Sequence, residues 1–242
     1  MFDGLASSSG LATQAAERKD AQGKTTLAVF DIDGTVIDGQ SPAIIAFNLF
    51  KAGVLPSGRA LLAGVWGLKY KAGLTIETEA VRRRVFSSFR NMSSADANKI
   101  IEKIYKTKIY PKLRPEALEK IRWHKERGDV PIFVTATFEP IAKMMAEDSG
   151  VERQVSTKMV IENDRYTGEI DGKPVEGDEK VVRLKLYADK NFGRGNWEIG
   201  YSYADHFTDL PILSIAKHPV AVNPKTKLRT AAERNGWEIQ EW

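Results

Sequence analysis

The chain holds 242 residues, 42% of them hydrophobic, which is enough apolar material for one large domain or for a core carrying an insert. It contains no cysteine, and this excludes disulfides, thiolate metal sites and cysteine nucleophiles. Its formal charge is +4, from 36 Lys and Arg against 32 Asp and Glu, and no apolar run reaches the length of a membrane span.

Residues 1–24 are rich in Ser, Ala, Gly and charge and lack the basic-then-apolar layout of a secretory signal. They read as a flexible arm or a loosely docked helix. Together with the absent cysteine, this layout suits a cytoplasmic protein. Leu27-Ala28-Val29-Phe30 opens a buried strand over 26–32, stopped by Gly34. Ser41-Pro42 supplies an N-cap and a first-turn proline, and Gly53 a stop, for a helix near 42–52.

A second helix is expected over about 58–72. Its apolar run from Ala60 to Leu68 is flanked by Arg59, Lys69 and Lys71 and includes Trp66. It reads as a helix buried in the protein, with an interfacial helix touching a bilayer as the alternative. A third helix starts near Thr75, with Glu77 and Glu79 in its first turn and Val81, Val85, Phe86 and Phe89 at helical spacing. Ser93-Ser94-Ala95-Asp96 is a capping pattern for a fourth helix, carrying Ile100, Ile101, Ile104 and Tyr105.

After Pro111 strands and helices alternate. A helix over 115–127 stops at Gly128 and places His124 on an exposed face. The strand Val130–Thr135 follows, then a helix over 139–148 stopped by Gly150, then a β-hairpin over 155–170 with turn signals at Asn163-Asp164 and Gly168. Lys180 opens a helix, Trp197 to Tyr201 is a strand, 209–216 a short helix, 219–222 a short strand and 225–235 a closing helix. Trp237 and Trp242 look exposed and would dock the tail on the core or on a second subunit; no oligomeric state is legible. The pattern predicts an α/β fold: a Rossmann-like doubly wound parallel sheet, covered on both faces. The core is 25–39 with 111–242. The gap between its first two strands exceeds an ordinary crossover, so residues 40–110 form an inserted helical bundle, a cap domain.

The chemistry concentrates at the strand ends. Asp31 and Asp33 lie two residues apart in Asp31-Ile32-Asp33-Gly34-Thr35, so a strand would send both carboxylates to one side. One can attack an electrophile while the other handles protons or helps hold a metal. Thr135 closes the next core strand, Asp205 and Asp209 follow the strand ending near Tyr203, and Lys180 starts a helix. Open α/β sheets gather reactive groups at such ends. Four carboxylates, one hydroxyl and one ammonium then converge; clustered carboxylates repel unless a cation joins them. Mg²⁺ suits such ligands, and the set suits phosphoryl transfer.

Each residue also has a plainer reading. Thr135 would simply end a strand, Lys180 would be solvated, and Asp205 and Asp209 would cap the following helix. His206 reads as a loop residue and Asp38 as part of the turn leaving the site. Between Gly39 and Tyr110 there are twelve Lys and Arg against four Asp and Glu. That is a solvated helical surface or a field drawing in an anionic substrate. No nucleic-acid-binding motif is present, and no nucleic-acid partner is expected.

In order and spacing these motifs resemble the haloacid dehalogenase superfamily of phosphohydrolases. The helical cap between the first and second motif resembles its phosphoserine-phosphatase-like branch, subfamily IB. The resemblance covers roughly residues 26–235. It implies that Asp31 is the nucleophile and forms an aspartyl-phosphate. It implies that Asp33 protonates the leaving oxygen and then activates water. Mg²⁺ would be held by Asp31, the Asp33 backbone carbonyl and Asp205, with Asp209 in support. Thr135 and Lys180 would bind the phosphoryl group, and Gly34 would permit the tight turn. The substrate implied is a small-molecule phosphomonoester.

Phosphoserine phosphatases carry a Glu nine residues after the nucleophile to hold the substrate amine; Gln40 stands there in this chain. Glycines that commonly follow the motif-two hydroxyl are replaced by Ala136-Thr137. The residues leave three alternatives to a soluble-ester hydrolase open. These are a phosphotransferase, a lipid-phosphate phosphatase at a membrane surface, and a non-catalytic docking protein using the basic insert.

Overall fold

The computed structural model describes residues 23–53, 83 and 85–242. Most of the expected arm over 1–24, the expected helix over 58–72 with its Trp66 run, and the start of the helix from Thr75 lie outside the described residues. Among the described residues no helix is long and apolar enough to cross a membrane.

Six parallel strands form the main sheet, in the order β3-β2-β1-β6-β7-β8. Here β1 is Thr25–Phe30, β2 Val130–Phe138, β3 Arg153–Thr157, β6 Trp197–Ala204, β7 His218–Val222 and β8 Glu238–Gln240. A separate antiparallel pair, β4 (Met159–Glu162) and β5 (Arg165–Ile170), is the expected hairpin. Its turn residues Asn163 and Asp164 both take positive φ, as a two-residue hairpin turn requires. The expected hairpin began too early: Val155-Ser156-Thr157 belongs to β3, paired with β2. Gly168 lies inside β5 rather than at a turn.

Strand alternation decides which side chains face which layer. From β1, Leu27 and Val29 join Val130, Ile132 and Val134 of β2 under Leu184 and Ala188 of α5 (Asp178–Phe192). Ala28 and Phe30 point the other way. They meet Ala117 and Ile121 of α3 (Pro115–Glu126) and Ile141 and Met145 of α4 (Glu139–Ser149). Helices therefore cover both faces, and the sheet is doubly wound. The third cluster joins Leu213 of α6 (Leu210–Ser214) to Leu228 and Ala232 of α7 (Thr226–Asn235) and takes in Trp237. The Trp242 ring packs 5.7 Å from that of Tyr203, so both tail tryptophans dock on the core.

After β1 comes α1 (Ser41–Lys51); after a helical turn over 85–87 comes α2 (Ser94–Ile104), capped by Ser93 as expected. The hairpin leans on this region. Tyr166 packs 6.3 Å from Phe89 and 5.8 Å from Phe138, ring to ring. After α2 the chain makes a π turn over Tyr105–Ile109 and a 3-10 turn over Tyr110–Lys112, then returns to the core. Its outgoing and returning segments run side by side. The Asp38 N–H donates to the Lys112 carbonyl at 2.8 Å and the Arg114 N–H to the Val36 carbonyl at 3.0 Å, with an antiparallel bridge between Ile37 and Leu113. Asp38, expected in the turn leaving the site, also pairs with the Arg114 guanidinium at 3.2 Å.

Two local expectations are corrected. Ser41 is not an N-cap: it is the first residue of α1, Gln40 precedes it without a side-chain cap, and Ser41 turns back to Asp33. His124 is fully buried, not exposed. It continues the inward stripe of Ala117 and Ile121 at helical spacing. Its Nδ1 lies 2.8 Å from Asp129 Oδ2 and its Nε2 2.9 Å from the Tyr203 hydroxyl, so the polar ring is fully partnered.

Candidate active site

The chain's strand order reverses between β1 and β6: β2 and β3 extend the sheet on one side, β7 and β8 on the other. A crevice forms outside the carboxyl ends of strands at such a reversal. The residue just past β1 is Asp31, and the residue just past β6 is Asp205; both are buried. The Asp31 N–H donates to the Tyr203 carbonyl at 3.0 Å, which ties the two strand ends together. Gly34 turns the chain away with φ +88°, and a Cβ there would overlap the Asp205 carboxylate. The turn after the acid pair therefore needs glycine on both counts.

Lys180 sits in the first turn of α5, 2% exposed. Its Nζ donates to Asp31 Oδ1 at 2.7 Å and forms an ion pair with Asp209 Oδ1, also at 2.7 Å. Burial alone would pull this ammonium down, but Asp209 and Asp31 outweigh it and hold it above its usual range. Lys180 is thus charged and committed, not a solvated helix-start lysine.

One oxygen from each of Asp31, Asp205 and Asp209 lies within 4.8 Å of the others. Burial raises the Asp205 pKa well above a normal carboxylate, and the charges of Asp31 and Asp209 add to it. Burial raises Asp209 too, against the pull of Lys180. Lys225, half-buried, adds a weaker positive field at Asp205. Three buried carboxylates around one ammonium leave surplus negative charge. An all-oxygen donor set with such a surplus fits a hard divalent cation of the Mg²⁺ kind.

Asp33 does not share this cluster through its side chain. β1 stops at Phe30, so the strand alternation that would have aligned the two acids does not reach Asp33. Its carboxylate instead accepts the Ser41 N–H at 2.6 Å, the Ser41 hydroxyl at 3.0 Å and the Thr137 hydroxyl at 2.8 Å. Burial, then the charge of Asp31, pushes its pKa up to about 6 against these donors. Thr135 is fully buried; its hydroxyl donates to Thr137 Oγ1 at 3.0 Å and accepts the Thr137 N–H at 3.1 Å. His206 is a loop residue as expected, with Nδ1 3.0 Å from Thr208 Oγ1.

Asp31, Lys180, Asp205 and Asp209 are therefore brought together, with Gly34 against Asp205. Asp33 and Thr135 meet each other through Thr137. Ser41 and Thr137 were not anticipated. The signal for Thr137 was available: it stands two residues beyond Thr135, on the same face if the strand continues.

A model of the haloacid dehalogenase-like hydrolase family matches residues 28–214. A protein of Mycobacterium tuberculosis named as a probable phosphatase is 28% identical over 218 residues, 88% of this chain and 74% of that protein. A solved structure of a Bordetella pertussis protein of unknown function superposes with a TM-score of 0.79 at 27% identity, over 90% of this chain and 98% of that one. A phosphoserine phosphatase carrying an analogue of its phospho-aspartyl intermediate shares the fold. Its TM-score is 0.62 at 19% identity, over 90% of this chain and 93% of that one.

Proposed function

Because the chain belongs to the haloacid dehalogenase-like hydrolase family, we propose that it is a Mg²⁺-dependent phosphomonoester hydrolase working through an aspartyl-phosphate. The observation that carries this reading is the unequal treatment of two neighbouring carboxylates. Asp31 lies against the Lys180 ammonium at 2.7 Å. Asp33 is gripped by hydroxyl and amide donors and has its pKa raised to about 6. A nucleophile must stay ionised, whereas an acid–base group must change protonation near neutrality.

In the proposed cycle an Asp31 carboxylate oxygen attacks phosphorus. The bond to the ester oxygen breaks, and Asp33 gives that oxygen its proton. Asp33, now ionised, takes a proton from a water that attacks the aspartyl-phosphate; inorganic phosphate leaves and Asp31 is restored. Lys180 balances the charge of Asp31 and of the phosphoryl oxygens. Thr135 would turn its hydroxyl from Thr137 to one of those oxygens. Asp31, Asp205 and the Asp33 carbonyl, supported by Asp209, would hold Mg²⁺, which neutralises charge on the transferring oxygens when bound.

Residues 40–110 are read as a cap over a core of 25–39 and 111–242. The basic excess of that insert favours a small anionic organic phosphate as substrate. The cysteine-free composition suits a reducing cytoplasm. Phosphate release from a panel of esters with Mg²⁺ tests the reading. Asp31→Asn is expected to lose on the order of 10³-fold or more in kcat while keeping its fold. A wild-type protein that releases no phosphate from any ester, or an Asp31→Asn variant as active as wild type, overturns it.

A further inference from the structure

Ser41 and Thr137 are fully buried, yet both give their protons to the one carboxylate that the proposed cycle uses for proton transfer. Neither reaches solvent, and the two come from different parts of the chain, the first turn of the insert and the end of β2. The direction of the hydroxyls is set by the carboxylate. Asp33 Oδ2 accepts the Thr137 hydroxyl, and this holds whether the Thr135 hydroxyl points to Thr137 Oγ1, as here, or turns to a phosphoryl oxygen.

The two oxygens of Asp33 are consequently unequal. Oδ2 accepts two hydroxyls, from Ser41 at 3.0 Å and Thr137 at 2.8 Å, which fill both of its lone-pair directions. Oδ1 accepts only the Ser41 N–H, at 2.6 Å, and keeps one direction open. A proton on Asp33 must therefore sit on Oδ1. That amide is one of the free N–H groups of the first turn of α1, so the insert itself takes part in the grip.

We propose that Ser41 and Thr137 are positioning residues for Asp33: clamping its carboxyl between the first turn of the insert and β2, they confine the transferable proton to Oδ1 and aim it at the departing oxygen. This rests on the hydrolase reading above. Ordering a proton donor is worth much of its effect, since general acid catalysis depends on reach and direction as well as on acidity.

The test uses two monoesters that differ in their need for a proton. p-Nitrophenyl phosphate releases a phenolate that leaves unaided; an alkyl phosphate releases an alkoxide that does not. kcat/KM reports the step in which that group departs. Thr137→Val keeps the volume and removes the hydroxyl. It is expected to lower kcat/KM for the alkyl ester about tenfold more than for the aryl ester. Ser41→Ala, which retains the amide contact, should shift the ratio in the same direction but less. Thr137→Ser should return the ratio to the wild-type value.

Equal losses on both esters in Thr137→Val, with a wild-type melting temperature, would assign these residues to holding the insert and overturn the inference. So would a Thr137→Ser variant as selective in its loss as Thr137→Val. A wild-type protein that hydrolyses neither ester fails the hydrolase reading, and the inference falls with it. A wild-type protein that hydrolyses both, with variants losing both alike, fails the inference alone.

Discussion

Two polar clusters are buried beside the same pair of strands, and they are built in opposite ways. Around His124, each ring nitrogen has one partner, Asp129 or Tyr203, and the aromatic rings of Phe30, Tyr201 and Tyr203 close the space around it. Around Lys180, three carboxylates share one ammonium that touches two of them. The first cluster is balanced within the protein and asks for nothing more. The second holds surplus charge that burial makes unfavourable, which is tolerable where a ligand or a reaction makes use of it. Buried polarity alone does not single out a candidate active site; unmatched charge at a strand-order reversal does.

The largest effect on stability is expected from removing the ammonium. Lys180→Met leaves Asp31 and Asp209 buried without their cation and should destabilise the metal-free protein by about 3 kcal/mol. Phosphatase activity should fall on the order of 10²-fold or more. Chemical denaturation beside a phosphate-release assay measures both. A Lys180→Met protein as stable as wild type would mean that this charge surplus is balanced by something else, and the contrast with His124 would fail.

Next comes the cation. Mg²⁺ should raise the wild-type melting temperature by mass action, equivalent to about 2.7 kcal/mol at a hundredfold excess over Kd. Asp205→Asn should melt higher than wild type without Mg²⁺, since a repelling charge is gone, and should gain little when Mg²⁺ is added. If Mg²⁺ stabilises Asp205→Asn as well as wild type, the ion sits elsewhere.

The smallest effect belongs to the balanced cluster. Burial lowers the His124 pKa below its ordinary 6.5, against the pull of Asp129. The unfolded chain therefore takes up a proton that the folded protein refuses. His124 contributes its full stability above pH 6.5 and loses it as the pH falls below that value. Asp33 acts in the opposite sense. Its pKa is raised from 3.8 to about 6, so its contribution is lost as the pH rises through about 6. The His124 effect is thus read as a difference: wild type should lose more stability than His124→Gln when acidified below 6.5. Parallel melting curves for the two would show that His124 does not titrate on unfolding.

The features legible in the sequence were those with a local cause. The apolar run before Asp31, the Ser93 cap, the glycine stop at Gly150 and the strand–helix alternation all act within a few residues. They were enough to align Asp31, Lys180, Asp205 and Asp209, because sheet topology carries strand ends to one edge. What escaped depends on distant partners. His124 looked like a surface histidine because Asp129 and the Tyr203 hydroxyl, which make its burial tolerable, are assembled only by the fold. Ser41 looked like a helix cap because nothing nearby reveals that Asp33 competes for its proton. β8 escaped because Glu238-Ile239-Gln240 has one apolar residue in three, too little alternation to register.

The paired segments between β1 and α1 and before α3 carry a consequence of their own. Val36 to Asp38 and Lys112 to Arg114 hold each other through two backbone hydrogen bonds and a bridge at Ile37 and Leu113. To the sheet, the two ends of the connection between β1 and β2 are already joined there. Closing a loop depends only weakly on its length. The connector therefore lets the sequence beyond Ser41 lengthen or shorten, while the spacing between Asp31 and the strands around it stays the same.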